Sequence, residues 1–125
     1  MPDFTHISIE DVTDSGPQGL EEIRFATAQI ETEQTGFTHH RWQPGAQTGF
    51  AHRHDEAEEV YFVIAGSGRV KLDDEILELA KGDALRVAPP VIRSFAAGPD
   101  GLEVLAFGAR HENDGEAFEN WWPAQ

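Results

Sequence analysis

The chain contains no cysteine, which excludes disulfides and thiol chemistry. Positive charge is scarce. Only 9 Lys and Arg stand against 23 Asp and Glu, giving a formal net charge of -14. That balance argues against nucleic-acid binding, which needs Lys and Arg on the phosphates, and against docking on an anionic membrane surface. No apolar run reaches the length needed to span a bilayer. The opening Met1-Pro2-Asp3-Phe4 has neither the basic nor the apolar region of a signal peptide. These absences lead to the expectation of a cytoplasmic protein with no nucleic-acid and no membrane partner. Sustained helical periodicity, internal repeats and low-complexity segments are missing too.

What is present is a chain of 125 residues with a hydrophobic share of 39%. That length suggests one domain, large enough to bury about two-thirds of the surface its unfolded chain exposes. Residues 1–19 read as an N-terminal arm, in which Ile7-Ser8-Ile9 forms a short strand. From Ile23 to Ile30 apolar and polar residues alternate, the mark of a half-buried strand. Phe37 to Trp42 is a second strand, ended by Pro44-Gly45. Val60-Tyr61-Phe62-Val63-Ile64 is β-branched and aromatic. Gly66-Ser67-Gly68 is read as a turn after it. Arg69 to Leu72 and Ile76 to Leu79 flank a tight turn at Asp73-Asp74, and Gly82-Asp83 makes the next. Ala84 to Ala88, Val91 to Ala96 and Leu102 to Phe107 complete the set, the last two separated by a turn at Gly98-Pro99-Asp100-Gly101.

Short strands at close, regular spacing mean an all-β antiparallel sandwich or barrel, here residues 20–110. The tail, 111–125, carries one expected short helix from Asn113 to Trp122, with Ala117, Phe118, Trp121 and Trp122 on one face. Trp121 and Trp122 are expected to pack over one end of the barrel rather than to stack on a ligand.

The stretch His52-Arg53-His54-Asp55-Glu56-Ala57-Glu58-Glu59 concentrates the chemistry. In a strand, residues i and i+2 share a side, so His52 and His54 face one way and Arg53 the other. Two imidazoles on one side suit zinc, iron, copper, nickel or manganese, and a carboxylate from the next strand completes a two-histidine, one-carboxylate set with open positions. Glu59 is placed for that role, and Glu58 for the opposite face. On spacing alone, a His-x-His in an acidic loop is more often charged surface than a ligand pair.

His52, His54, Glu59 and Gly66 stand in the register G-x5-H-x-H, three or four residues, E, six residues, G, with Ala46 in place of the leading glycine and Gly45 beside it. In this the chain resembles the cupin superfamily. The likeness covers roughly residues 20–108 and implies a single-domain jelly-roll barrel with the site in its mouth. It also implies a divalent transition metal (Fe, Mn, Ni or Zn) on His52, His54 and Glu59. The second motif of the family, G-x5-P-x-G-x2-H-x3-N, starts at Gly82-Asp83 and then departs: Ala88, Pro90, Arg93 and Ala97 occupy its last four anchors. Arg93 replaces a histidine that in metal-binding cupins is usually a ligand, and arginine offers no lone pair to a metal.

Val91 and Phe95 share the parity of Arg93, which places it inside the barrel. A fixed positive charge about 4–5 Å from a cation costs on the order of several kcal/mol at an effective dielectric near 20. Three outcomes follow: Arg93 pairs with Glu59 and displaces the metal, or it swings aside to bind an anionic substrate, or a metal binds with help from another group. His40, which shares parity with Trp42 and points to the lumen, is a candidate helper. His39 then faces outward, and ordinary packing or surface is the expected role of both. Tyr61 shares parity with Glu59 and lines the cavity. His6 and His111 carry no argument. The expectation is a homodimeric cupin with a small-molecule site: a metal-dependent one acting on an anionic substrate, or a metal-free binding or sensor protein without catalysis.

Overall fold

The described residues form eight strands: β1 (Glu21–Phe25), β2 (Thr35–Trp42), β3 (Phe50–His54), β4 (Glu59–Leu72), β5 (Glu75–Ala80), β6 (Ala84–Val87), β7 (Arg93–Ala109) and β8 (Gly115–Glu119). The structure, a computed structural model, describes residues 3–48, 50–110, 114–119 and 122. The strands form one curled antiparallel sheet in the order β1-β2-β7-β3-β8, with β4 paired to β5, β6 and β7. Among the described residues no helix is long and apolar enough to cross a membrane.

Period-two patterning decides what faces inward. On β4, Tyr61 and Val63 are buried whereas Val60 and Phe62, which alternate with them, are more than a third exposed. The inner faces of β2, β4, β5, β6 and β7 meet in one core of Trp42, Tyr61, Val63, Val70, Leu79, Val87, Phe95, Leu102, Val104 and Ala106. The turns at Asp73-Asp74 and around Gly82 form as the sequence indicates, with Asp73 at φ 51° and Gly82 at φ 93°.

Several expected boundaries differ. Ile7-Ser8-Ile9 is no strand: Ile9–Asp11 makes a single 3-10 turn, held by local bonds from Asp11 N–H to Ser8 O and from Val12 N–H to Ile9 O. The strand expected over Ile23–Ile30 ends at Phe25, because Ala26 O accepts from Ile30 N–H and closes a turn. Gly66-Ser67-Gly68 and Gly98-Pro99-Asp100-Gly101 do not end strands. They face each other across β4 and β7, where Gly66 pairs with Leu102 and Gly68 with Ala97. Two steps along β4 thus match five along β7, so these glycines absorb an irregularity in two long strands instead of reversing the chain.

The expected tail helix is replaced by β8. Its five residues pair with all five of β3, from Phe50 opposite Glu119 to His54 opposite Gly115. Among the described residues β3 pairs with β7 at His52 and Arg93, and β8 takes its other edge. A helix of about ten residues is marginal in water, and satisfying an exposed strand edge outweighs it. Phe118 lies under the Arg53 guanidinium and Ala117 turns to the interior cavity, opposite faces where a helix would have joined them. Trp122 donates its Nε1–H to Ser94 Oγ at 3.1 Å and stacks under Arg69, which is packing against the barrel wall. Trp121 lies outside the described residues, as does His111.

The outer face of β1, β2 and β7 carries a charge lattice. Arg24 and Arg41 both hold Glu22, at 2.7 and 3.0 Å. Arg41 also reaches Glu103 at 3.4 Å, and His39 Nε2 lies 2.7 Å from the same Glu103 oxygen. His39 does face outward, yet it is only 2% exposed. The arm lies against this face through the bond from Arg24 Nε–H to Val12 O.

Two predictions follow from this architecture. At Gly66 the backbone is at φ 75°, and a Cβ would stand 2.1 Å from Gly101 O. The substitution G66A is therefore expected to lower stability by about 2 kcal/mol or more in denaturant unfolding. An unchanged midpoint would contradict the account of this crossing. Burial tends to raise the Glu103 carboxyl, but hydrogen bonds from His39 and Arg41 outweigh it and hold the group below its ordinary value of 4.5. A depressed folded-state value contributes stability above that ordinary value and loses it as pH falls. The gap in melting temperature between wild type and E103Q should accordingly be present near neutrality and narrow at about pH 4 and below; a gap independent of pH would count against the lattice.

A candidate metal and ligand site in the barrel

One carboxylate oxygen is the focus of the interior. Glu59 opens β4, and its Oε1 accepts from the Tyr61 hydroxyl at 2.6 Å and from Arg93 Nη1–H at 3.2 Å. His54 Nε2 lies 2.9 Å from the same oxygen and His52 Nε2 3.6 Å from it. The strand geometry explains the convergence. His52 and His54 are two apart on β3 and share its inner face, with their rings 5.1 Å apart at 82°. Glu59 and Tyr61 do the same on β4. Arg93 is the direct cross-strand neighbour of His52, which puts its side chain beside the imidazole pair. Arg53 points away, and its Nε–H and Nη2–H both donate to Glu116 Oε2. Glu58 faces outward and meets Arg86.

Arg93 is fully buried. Its Nη2–H donates to Ala88 O at 2.8 Å, and its Nε–H has no hydrogen-bond partner among the described residues. Burial disfavours the charged form of Glu59, but hydrogen bonds with His52, His54 and Tyr61 prevail and keep the carboxyl far below the ordinary carboxylate range. Burial is the main reason that the His52 imidazole is pushed down, with Glu59 opposing. The same burial, reinforced by Glu59, pushes the Tyr61 phenol well up, so it stays a donor. The centre therefore holds an ionised carboxylate, a neutral imidazole at His52, a neutral phenol and a guanidinium.

The donor set suits a divalent transition ion. One ligand atom each from His52, His54 and Glu59 lie within 4.8 Å of one another. Two ligands about 2.1 Å from one ion and at right angles to each other are separated by about 3 Å, close to the 2.9 and 3.6 Å seen here. Imidazole and carboxylate are ligands for Zn, Fe, Mn or Ni. Arg93 is the dissenting member, because it already occupies Glu59 Oε1.

The site opens into a cavity of about 610 Å³. His40 lines it as its parity with Trp42 indicates, together with Tyr61, Phe95 and Arg93. Two contributing groups were not legible in the sequence. Asp114 reaches in from the tail: Oδ1 accepts from Asp55 N–H and Glu56 N–H and Oδ2 from Ala57 N–H, each at 3.0 Å, and Oδ2 lies 3.6 Å from His54 Nδ1. It ties down the loop between the histidine pair and Glu59. Glu21, on β1, is buried beside His40. A lone acidic residue in an acidic chain gives no signal; only strand register places these two.

A family model described as the cupin domain matches residues 38–107. A stretch of 38 residues is 40% identical to an uncharacterized protein of Methanocaldococcus jannaschii and spans 30% of each chain. Among solved structures, a cupin protein from Bacteroides fragilis is similar with a TM-score of 0.72 at 24% identity, over 90% of this chain and 89% of that one. The polyketide cyclase RemF from Streptomyces resistomycificus is similar with a TM-score of 0.75 at 17% identity, over 95% and 87%. With the matched segment running from the middle of β2 to the far part of β7, and so containing His52, His54, Glu59 and Arg93, the chain belongs to the cupin family.

Proposed function

We propose that this cupin binds a small molecule in the barrel mouth at a divalent metal held by His52, His54 and Glu59, and that Arg93 attenuates the metal's affinity. The observation that carries the reading is the pair of His Nε2 atoms at 2.9 and 3.6 Å from one carboxylate oxygen. A bound divalent ion would supply Lewis acidity to an oxygen-bearing ligand. The chain's own residues do the rest. Tyr61 and Arg93 hold the Glu59 carboxylate in place, and Asp114 fixes the loop joining the ligands. Arg93 borders the cavity, and its fixed positive charge favours an anionic ligand. An isomerase-like or dioxygenase-like reaction is compatible with this centre, and the cyclase of similar fold is an enzyme by name.

One observation favours a second reading, a metal-free binding or sensor protein. Arg93 sits at 3.2 Å from the carboxylate oxygen that a metal would share, so the guanidinium itself neutralises Glu59. A homodimer in the cytoplasm remains part of the proposal. Val60, Phe62 and Phe107 leave apolar surface on the outer side of β4 and β7, which a second copy would cover.

Calorimetric titration with Mn, Ni or Zn separates the readings. The expected result is one ion per chain in the wild type, none in H52A, and at least about tenfold tighter binding in R93H, which exchanges a like charge for a ligand. No binding by wild type or R93H would leave the metal-free reading.

A further inference from the structure

The cavity holds a second polar cluster, away from Glu59 and built on different strands. His40 on β2 and Glu21 on β1 lie diagonally across an antiparallel pair, since Glu21 is opposite Trp42 and Ile23 opposite His40. His40 Nδ1 is 3.0 Å from Glu21 Oε2. The other carboxylate oxygen, Oε1, accepts from the Thr48 hydroxyl at 3.3 Å, and Thr48 Oγ1 accepts from Trp42 Nε1–H at 2.9 Å. The His40 ring lies flat on Trp42, with centroids 5.2 Å apart at 7°. The Glu21 side chain is 3% exposed. A carboxylate so deeply buried is poor stabilisation, because its desolvation offsets what the pairing returns. Its position is better explained by what it does to the histidine.

That effect is specific. A carboxylate at Nδ1 accepts the Nδ1 proton and selects the tautomer whose Nε2 carries a lone pair. No hydrogen bond occupies His40 Nε2 among the described residues, and His40 lines the cavity. Around it the walls are aromatic: Phe25, Phe37, Trp42, Phe50 and Phe95 all border the same space. An oriented base among aromatic faces matches a flat ring bearing an acidic hydroxyl.

We propose that His40 is a proton acceptor for the hydroxyl of a phenol-class ligand, with Glu21 as its positioning residue. The proton leaves the ligand oxygen and arrives at His40 Nε2. The ligand becomes a phenolate and the imidazole an imidazolium, which the Glu21 carboxyl group holds at Nδ1. Only the O–H bond breaks, and no oxidant or reductant takes part. The inference rests on the cavity being the ligand site, as proposed above, but not on a metal.

The test uses full-length protein stripped with chelator and 4-nitrophenol as the probe, because its ionised form absorbs separately from the neutral phenol. Saturable binding is expected to raise the ionised fraction of bound probe at a pH where the free probe is mostly neutral. In H40Q binding should persist within a few-fold while the ionised fraction falls by about tenfold. In E21Q, which keeps a hydrogen-bond partner but loses the charge, a smaller fall is expected. Independently of any variant, the ¹⁵N resonances of His40 in the wild type should shift from the one-proton to the two-proton pattern when the probe is added. An equal ionised fraction in H40Q and wild type, or an unchanged His40 pattern at saturation, would overturn the base assignment. Absence of saturable binding would overturn the ligand class. Neither result touches the metal site, because the protein in this experiment is metal-free.

Discussion

Everything in this interior is organised around Oε1 of Glu59, where Tyr61, Arg93 and His54 converge within 3.2 Å. A carboxylate in such a place must be ionised and compensated, since a buried charge without partners is costly. Three strands cooperate in that compensation. β3 supplies the imidazoles, β4 the carboxylate and the phenol, and β7 the guanidinium. The curled sheet matters because it brings residues 52, 59 and 93 to one point, and the crossing at Gly66 and Gly101 lets β4 and β7 run long enough to do it.

Under the proposed function the cluster would have two states of similar chemistry. In one, the guanidinium answers the carboxylate. In the other, which the proposed function requires, a divalent ion would do so, with His52 and His54 as further ligands. Burial holds the His52 imidazole down toward its neutral form, which suits either state. The difference between them is electrostatic. A guanidinium about 4 Å from a divalent cation would be repelled by roughly 4 kcal/mol per unit charge at an effective dielectric near 20, which would weaken metal binding. Under the proposed function Arg93 would therefore tune the centre.

Much of this was legible before any coordinates. His52 and His54 share a face because their spacing is two, and Arg53 and Glu58 point away for the same reason. The inward turn of Arg93 followed from its parity with Phe95, and the reach of Tyr61 from its parity with Glu59. What escaped depends on pairing between distant segments. The tail pattern from Asn113 fits a helix locally, and only the free edge of β3 makes it a strand. Asp114 and Glu21 gain their roles from register, which no local pattern encodes. The glycines at 66 and 101 looked like turns because a turn and a bulge draw on the same conformational freedom.

The most direct test of the central claim is anomalous diffraction from crystals soaked in manganese. The account predicts one peak within about 2.3 Å of Nε2 of both His52 and His54 and in contact with Glu59, with the Arg93 guanidinium drawn away from Oε1. Diffraction showing no peak there, with the 3.2 Å contact between Arg93 and Glu59 intact, would contradict it.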